Sequence, residues 1–509
     1  MALFDFLPLS PLPLTLTTII LLLAAYLTLT PLLSPLSSLP GPLSLRFTPL
    51  PLLLRSYLGT ESTYLTALCA HYDAPILLIG PNEVLISDGA ALAPIYSTNG
   101  GFAKAPCYRN FDIMGWPSLF SALDKGYRAP RAKAVVGMFA TKALREGEAR
   151  VREAVVAFVE RLRRERDQAG KGKGGRVELL DASRALAVDA VTGYLFGKGY
   201  GGLQEGASGE KLSASEFVNA FVGVGRFFFL PNWAFVLVER ASQWMFETRE
   251  TVESMQRVEG YVRKLVEDAD VNDATYQARL LKSGLTKDEI AAQCMDLMFA
   301  GTDSSGMNMS TFCWQMAKHP EAYAKLKAEI LQSKREDPNY DPATLPYLRA
   351  CIKETLRLSM ANPTRLPRVV PDGGWLYTPS DDFSFSGSRS SKHPQRSYFL
   401  PAGTLVSCQI HTLHHNPSVF PKPFEFEPER WMDSSHDLLD KMTRDFIPFS
   451  LGSRQCIARN LAMAELNLAC AAVIESGVLD GAKNVGDRIE ILEWFNSKVE
   501  GERIEIEYP

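Results

Sequence analysis

Paired cysteines are missing from this chain. Its eight cysteines are scattered over 509 residues with no CxxC pair and no even spacing. A disulfide framework and a zinc or iron–sulfur centre therefore have no support. An excess of basic charge is missing too: 54 Lys and Arg face 58 Asp and Glu, for a formal net charge of −4. With no long run of one sign, nucleic acid is excluded as a partner. No internal repeat occurs. The Gly-rich stretch RLRRERDQAGKGKGGR lacks the GxxxxGK[ST] spacing of a phosphate cradle, and no apolar strand precedes it. It reads instead as a charged loop interrupting the helices.

Charge itself is absent from the N-terminus. No charged residue lies between Asp5 and Arg46, and within that span LTLTTIILLLAAYLTLT, residues 14–30, sits between Pro13 and Pro31. As a helix it would cover roughly 26 Å, and continuation to Leu33 brings it close to the ~30 Å of a hydrocarbon core. A secretory signal peptide would need a basic n-region and a small-residue cleavage site, whereas SPLSSLPGP reads as a stiff hinge. The expectation is a retained transmembrane helix. Arg46 and Arg55 follow it, which places the bulk of the chain in the cytosol. Residues 1–45 are read as membrane anchor and proline hinge, and residues 46–509 as one large, mainly α unit.

Within that unit, PILLIGPNEVLIS reads as a β-hairpin around Gly80-Pro81-Asn82. From about 128 to 332 the pattern is helical. Its strongest segment begins at a capping box, Thr286 with Glu289, and stops at Pro320. The stretch TPSDDFSFSGSRSSKHPQRS is a polar surface excursion. His411, His414 and His415 in HTLHHNP lack a fourth ligand at suitable spacing and are read as structural.

One cysteine stands in a punctuated context, FSLGSRQCIARN, residues 449–460. Gly452 permits a tight turn, Arg454 brings positive charge, and the residues after Cys456 read as a helix whose first amides favour an anion. A buried thiolate without a counter-cation is costly, and a metal ion supplies one. A single thiolate points to an axial haem ligand.

These residues resemble the FxxGxRxCxG signature of the cytochrome P-450 superfamily, in particular its fungal microsomal members of secondary metabolism. Three more motifs agree in order. Glu354-Thr355-Leu356-Arg357 matches ExxR, FPKPFEFEPERW with Arg430 matches the PERF-type segment, and AGTDSS, Ala300 to Ser305, matches [AG]Gx[DE]TT. An ExxR alone is close to noise; four motifs in order are specific. The resemblance implies a mainly α cytochrome P-450 fold, a helix-rich haem domain with a small β-rich N-terminal subregion. It implies haem b, iron protoporphyrin IX, held by Cys456 as axial ligand, with Phe449 packed over the ligand loop and Gly452 turning it. Arg454 and Arg368 would pair with the propionates. Glu354, Arg357 and Arg430 would form a buried network behind the haem. Ala300 and Gly301 would leave room on the distal side, and Asp303, Ser304 and Ser305 would carry protons.

Three departures stand out. Ala458 occupies a usual glycine position, Ser304 a usual threonine, and in DKGYRAPRAKAVV Arg128 lies where Trp or His is common and Ala132 where Arg is expected. Propionate contact is therefore assigned to Arg128 or Arg131. The resemblance implies an enzyme that oxidises an apolar small molecule with dioxygen. Its electrons would come from NADPH through a separate cytochrome P-450 reductase, with cytochrome b5 as a second donor, since the chain has no nicotinamide or flavin fingerprint. Lys125, Arg131, Lys133, Lys441 and Arg444 are read either as a docking face for that reductase or as a merely solvated surface. FVGVGRFFFLPNWAF reads as a lid, a membrane-dipping patch or plain core. The location implied is the endoplasmic reticulum membrane, single-pass, with the catalytic unit cytosolic. Two rival readings remain: a haem-thiolate isomerase, dehydratase or peroxygenase that needs no reductase, and a non-catalytic haem sensor.

Overall fold

A computed structural model describes residues 11–170, 175–246, 248–381, 383–385 and 396–508. Residues 171–174, the core of the Gly-rich stretch, and 386–395, half of the polar excursion, lie outside these.

The first helix, α1, runs Pro11–Leu33. It takes in Pro13, because the first turn has no intrahelical N–H bond for a proline to lose. Among the described residues no helix is long and apolar enough to cross a membrane. Beyond the hinge, α2 (Leu50–Leu58) and α3 (Glu61–Tyr72) lead into the expected hairpin, β1 (Ile76–Gly80) and β2 (Glu83–Ile86). Its register pairs Ile76 with Ile86 and Leu77 with Leu85. Three later strands join it: β3 (Ala103–Lys104), β4 (Arg368–Val369) and β5 (Leu405–Ser407), in the order β1-β2-β5-β4-β3. The pairing of β2 with β5 is parallel and the others are antiparallel. This small sheet sets Lys104 directly opposite Arg368.

The rest is mainly helical, with three further small sheets. After α4 (Lys125–Val135) comes α5 (Thr141–Ala169). That helix carries RLRRERDQA, which the sequence reading placed in a loop. The helix continues because Arg161 is buried between Glu165, one turn on, and Asp181 across the next element, at 2.7 and 2.9 Å. Next are α6 (Leu179–Phe196), α7 (Ser215–Val224) and α8 (Asn232–Phe246). The long central helix α9 spans Lys287–Lys318 and is capped by the Thr286 side chain, which accepts from the Glu289 amide. Then follow α10 (Pro346–Leu358) and α11 (Arg459–Ser476). Burial explains the arrangement: α6 is buried almost all round, and α9 is buried from Ser305 to Ala317. Helices that are apolar on every face must lie inside the molecule.

Candidate active site

A cavity of about 280 Å³ lies between the middle of α9 and the loop that precedes α11. One wall carries Ala300, Gly301, Ser304 and Ser305; facing it are Phe449, Arg454, Cys456 and Ala458. Of the eight cysteines only Cys456 is exposed, and its exposed side opens onto this cavity. The loop is held from within: the Cys456 amide donates to the Phe449 carbonyl at 2.9 Å. Gly452 turns it at φ +70°, and a Cβ there would run into the Tyr96 carbonyl oxygen. Burial pushes the Cys456 thiol above its usual pKa, against the pull of the Ala458 amide and the Arg459 charge. A thiolate at this depth needs a cation beside it.

The cavity also collects positive charge. Lys104, Arg128, Arg368 and Arg454 all line it. The Lys104 ammonium donates to the Phe120 carbonyl at 2.7 Å. The Arg128 Nε donates to the Leu119 carbonyl, and Arg454 donates to the carbonyls of Phe120 and Ala122. Arg368 donates to the Tyr108 hydroxyl at 2.9 Å. Burial, then the charges of Arg454, Arg368 and Arg128, drive the Lys104 pKa well below its ordinary value. Arg454 is pulled down to about 10, first by burial and then by Arg128 and Arg368. Like charges directly opposite in a sheet are destabilising, and so is burial of cations without anions. Four basic side chains with no salt bridge among the described residues, hydrogen-bonded to neutral oxygens, fit a ligand that brings carboxylates. Haem b has two, so the donor set fits haem: Cys456 to hold the iron, and Arg454, Arg368, Arg128 and Lys104 to hold the propionates.

The distal residues sort differently from the sequence reading. Gly301 lines the cavity, but a Cβ there would meet Val191 Cγ2 of α6 at 2.8 Å, so close packing as well as room requires glycine. The Ser304 hydroxyl donates to the Ala300 carbonyl at 2.8 Å, the back-bond that helical serines favour. Asp303 does not line the cavity. Its carboxylate turns toward α6 and pairs with Arg184 at 2.6 Å, both side chains being buried. Burial raises its pKa despite that pairing. The reason is helical geometry: Asp303 is one residue from Ser304, so its side chain leaves the axis about 100° away. Arg131 is likewise absent from the cavity; it stacks on Tyr127 and pairs with Glu289 at 2.6 Å, leaving Arg128 as the guanidinium of α4 that faces inward. Ser305 lies beside the buried Glu465 side chain.

Behind the cysteine loop lies the expected ion network. Arg357 forks onto Glu354 at 2.8 and 3.0 Å, and Arg430 adds a third contact at 2.9 Å. Trp431 Nε1 and the Glu427 amide donate to the same carboxylate. Arg357 also donates to the carbonyls of His414, Pro423 and Glu425. The His414 ring in turn accepts from the Ile447 amide, two residues before Phe449. His414 is thus a structural part of this support, while His411 pairs with the Thr66 hydroxyl and the His415 ring with the His411 carbonyl.

Lys104, Tyr108, Asp296 and Glu465 at the cavity were not singled out from the sequence. An acid inside the apolar run AAQCMDLMFAG was a usable signal for Asp296. Nothing local marks Lys104, since its place depends on a two-residue strand pairing across 264 positions with Arg368.

The sequence model of the cytochrome P450 family matches residues 131–476. The chain is 37% identical to the cytochrome P450 monooxygenase mfmF of Annulohypoxylon moriforme, over 97% of this chain and 99% of that protein. It is 28% identical to the cytochrome P450 monooxygenase tazI of Aspergillus terreus, over 86% of each. Among solved structures, a cytochrome P450, CYP102L1, superposes with a TM-score of 0.67 at 16% identity, covering 88% of this chain and 98% of that one. The chain belongs to the cytochrome P450 family. It is a cytochrome P450 monooxygenase, and its cofactor is haem.

Proposed function

We propose that the protein oxidises an apolar small molecule with dioxygen, using electrons that a separate flavoprotein reductase draws from NADPH. The observation that carries this reading is the cavity itself: Cys456 and the four cations on one side, and the Gly301–Ser304 face of α9 on the other. Haem bound there supplies the one-electron and dioxygen chemistry that side chains lack. The chain's own part is to hold the iron through Cys456, to fix the propionates, and to exclude water with Phe449 and the aromatic wall. Ser304 would hold a hydroxyl proton at the distal face. Asp303, bound to Arg184, could join it only by turning away from α6. The curated relatives named above are fungal proteins, which favours a role in secondary metabolism.

Purified protein, reconstituted with reductase, is expected to consume NADPH with a screened apolar substrate and to form an oxygenated product. Turnover with peroxide alone, or isomerisation without NADPH, would replace this reading by the reductase-independent one. Exposed Lys125 and Lys133 support a docking face for the reductase. Arg131 and Arg444 do so less, because each is already paired with a carboxylate.

The N-terminal segment is best read as a single-pass anchor in the endoplasmic reticulum, with residues 46–509 cytosolic. Support comes from the exposed Ile19, Ile20, Leu21, Leu22 and Leu23 of α1. A second apolar patch agrees with it: Leu50 and Leu54 of α2 and Trp233 and Leu237 of α8 are all exposed. The full chain is expected to stay in the membrane pellet after alkaline carbonate washing, while a chain starting at residue 46 is released by high salt or carbonate. Release of the full chain would remove the anchor.

A further inference from the structure

Two carboxylates open onto the cavity, Asp296 and Glu465. Glu465 is buried beside Ser305, and its Oε2 has no hydrogen-bond partner among the described residues. Asp296 is different. It lies on α9 one helical turn before Ala300, on the same face, among Phe111, Leu119, Phe120 and Phe299. Its half-exposed surface opens onto the cavity. Ser118 and Lys104 are the polar side chains that act on it, and among the described residues it has no salt bridge. Burial raises its pKa to about 6, with Ser118 and the charge of Lys104 pulling the other way. A carboxylate has about four lone-pair sites, and a buried one with unfilled sites is costly.

We propose that Asp296 is the specificity-determining acceptor for a hydroxyl group, phenolic or alcoholic, on an otherwise apolar aromatic substrate. The inference rests on the monooxygenase reading and names its substrate class. Two observations select a neutral hydroxyl over a protonated amine. The nearest basic group, Lys104, already projects its field onto Asp296. A protonated amine would add a second positive charge beside it, whereas a hydroxyl adds a donor without adding charge. The aromatic walls match a flat ring system. The distance has a consequence for regiochemistry. Asp296 and Ser304 are eight residues apart, roughly 12 Å along the helix axis. A molecule held by its hydroxyl at Asp296 therefore presents its far end to the Ser304 face.

The test uses haem-loaded protein and three matched probes: naphthalene, 2-naphthol and 2-(aminomethyl)naphthalene, titrated by difference spectroscopy and equilibrium dialysis. The wild type is expected to bind 2-naphthol roughly 10- to 100-fold more tightly than naphthalene, the range for a hydrogen bond to a charged group. Asp296→Leu and Asp296→Asn should each bring that preference to within about 3-fold, with naphthalene affinity kept or improved. Equal affinities in the wild type, a preference that survives in Asp296→Leu, or tighter binding of the amine than of the naphthol would each overturn the proposal. The carbon monoxide spectrum of the same samples separates this failure from failure of the monooxygenase reading. A thiolate-type band with no naphthol preference sinks the hydroxyl acceptor alone, and no such band in the wild type sinks both.

Discussion

Replacing Cys456 by serine abolishes the far red-shifted Soret band of the reduced protein under carbon monoxide and lowers turnover by about a thousandfold or more, roughly 4 kcal/mol of barrier. The expectation follows from which atom faces the cavity. Seven of the eight cysteines do not line it, and six of these are fully buried elsewhere. Cys456 alone combines an open sulfur with the Ala458 amide and the Arg459 charge beside it. A serine hydroxyl stays protonated where a thiol ionises on metal binding, so the electron donation that favours O–O cleavage is lost. The loop itself should survive, since the amide bond to Phe449 and the Gly452 turn involve backbone only. Thermal stability of the serine variant without haem should accordingly match that of wild type without haem. A band of unchanged position in the variant would mean that another residue ligates the iron.

Local chemistry decides which of these features could be read from the chain. The cysteine loop, ExxR and Arg430 lie in short segments whose roles depend on spacing alone, and the structure gathers the ion network as the resemblance implied. The capping box and the 32-residue helix follow from a local rule and a periodic pattern. Asp303 and Arg131 went elsewhere because their neighbours do not appear in the motif. Arg184 lies 119 residues before Asp303, and Glu289 lies 158 after Arg131. A motif tells which residues share a segment, while the helix turn decides which of them share a face. Lys104 shows the other limit: its ammonium reaches the cavity only because β3 pairs with β4, a contact between two-residue strands with little pattern to read. The Gly-rich stretch misled for a third reason. Its charges counted as a loop signal, yet Arg161, paired with Glu165 of its own helix and Asp181 of the next, stabilises the helix it occupies.

Removing Arg357 should have the largest effect on stability. Its guanidinium and the Glu354 carboxylate have no exposed side-chain surface, and five donors converge on the two Glu354 oxygens. Burial alone would push the Glu354 pKa up, but Arg357 and Arg430 overcome it and hold the carboxylate below its usual range. Arg357→Ala takes away the larger share of that compensation and also frees the carbonyls of His414, Pro423 and Glu425. Breaking a buried pair from one side costs about 3–5 kcal/mol, so the urea midpoint followed by far-ultraviolet dichroism should fall sharply. Haem retention should fall with it, because His414 links this network to the segment leading to Phe449. Glu354→Leu with Arg357→Leu together should cost less than the sum of the two single changes, since each single change strands a charge that the double change removes. Additive costs would show that the pair is not coupled. The pH dependence has a definite sign. A carboxyl whose folded pKa is lowered contributes its stability above the unfolded value, about 4.3, and loses it as pH falls through the folded value. The gap between wild type and Glu354→Gln should therefore be flat from neutral pH down to about 5 and close only in stronger acid. A gap that closes between pH 7 and 5 would mean that Glu354 is not held as the anion.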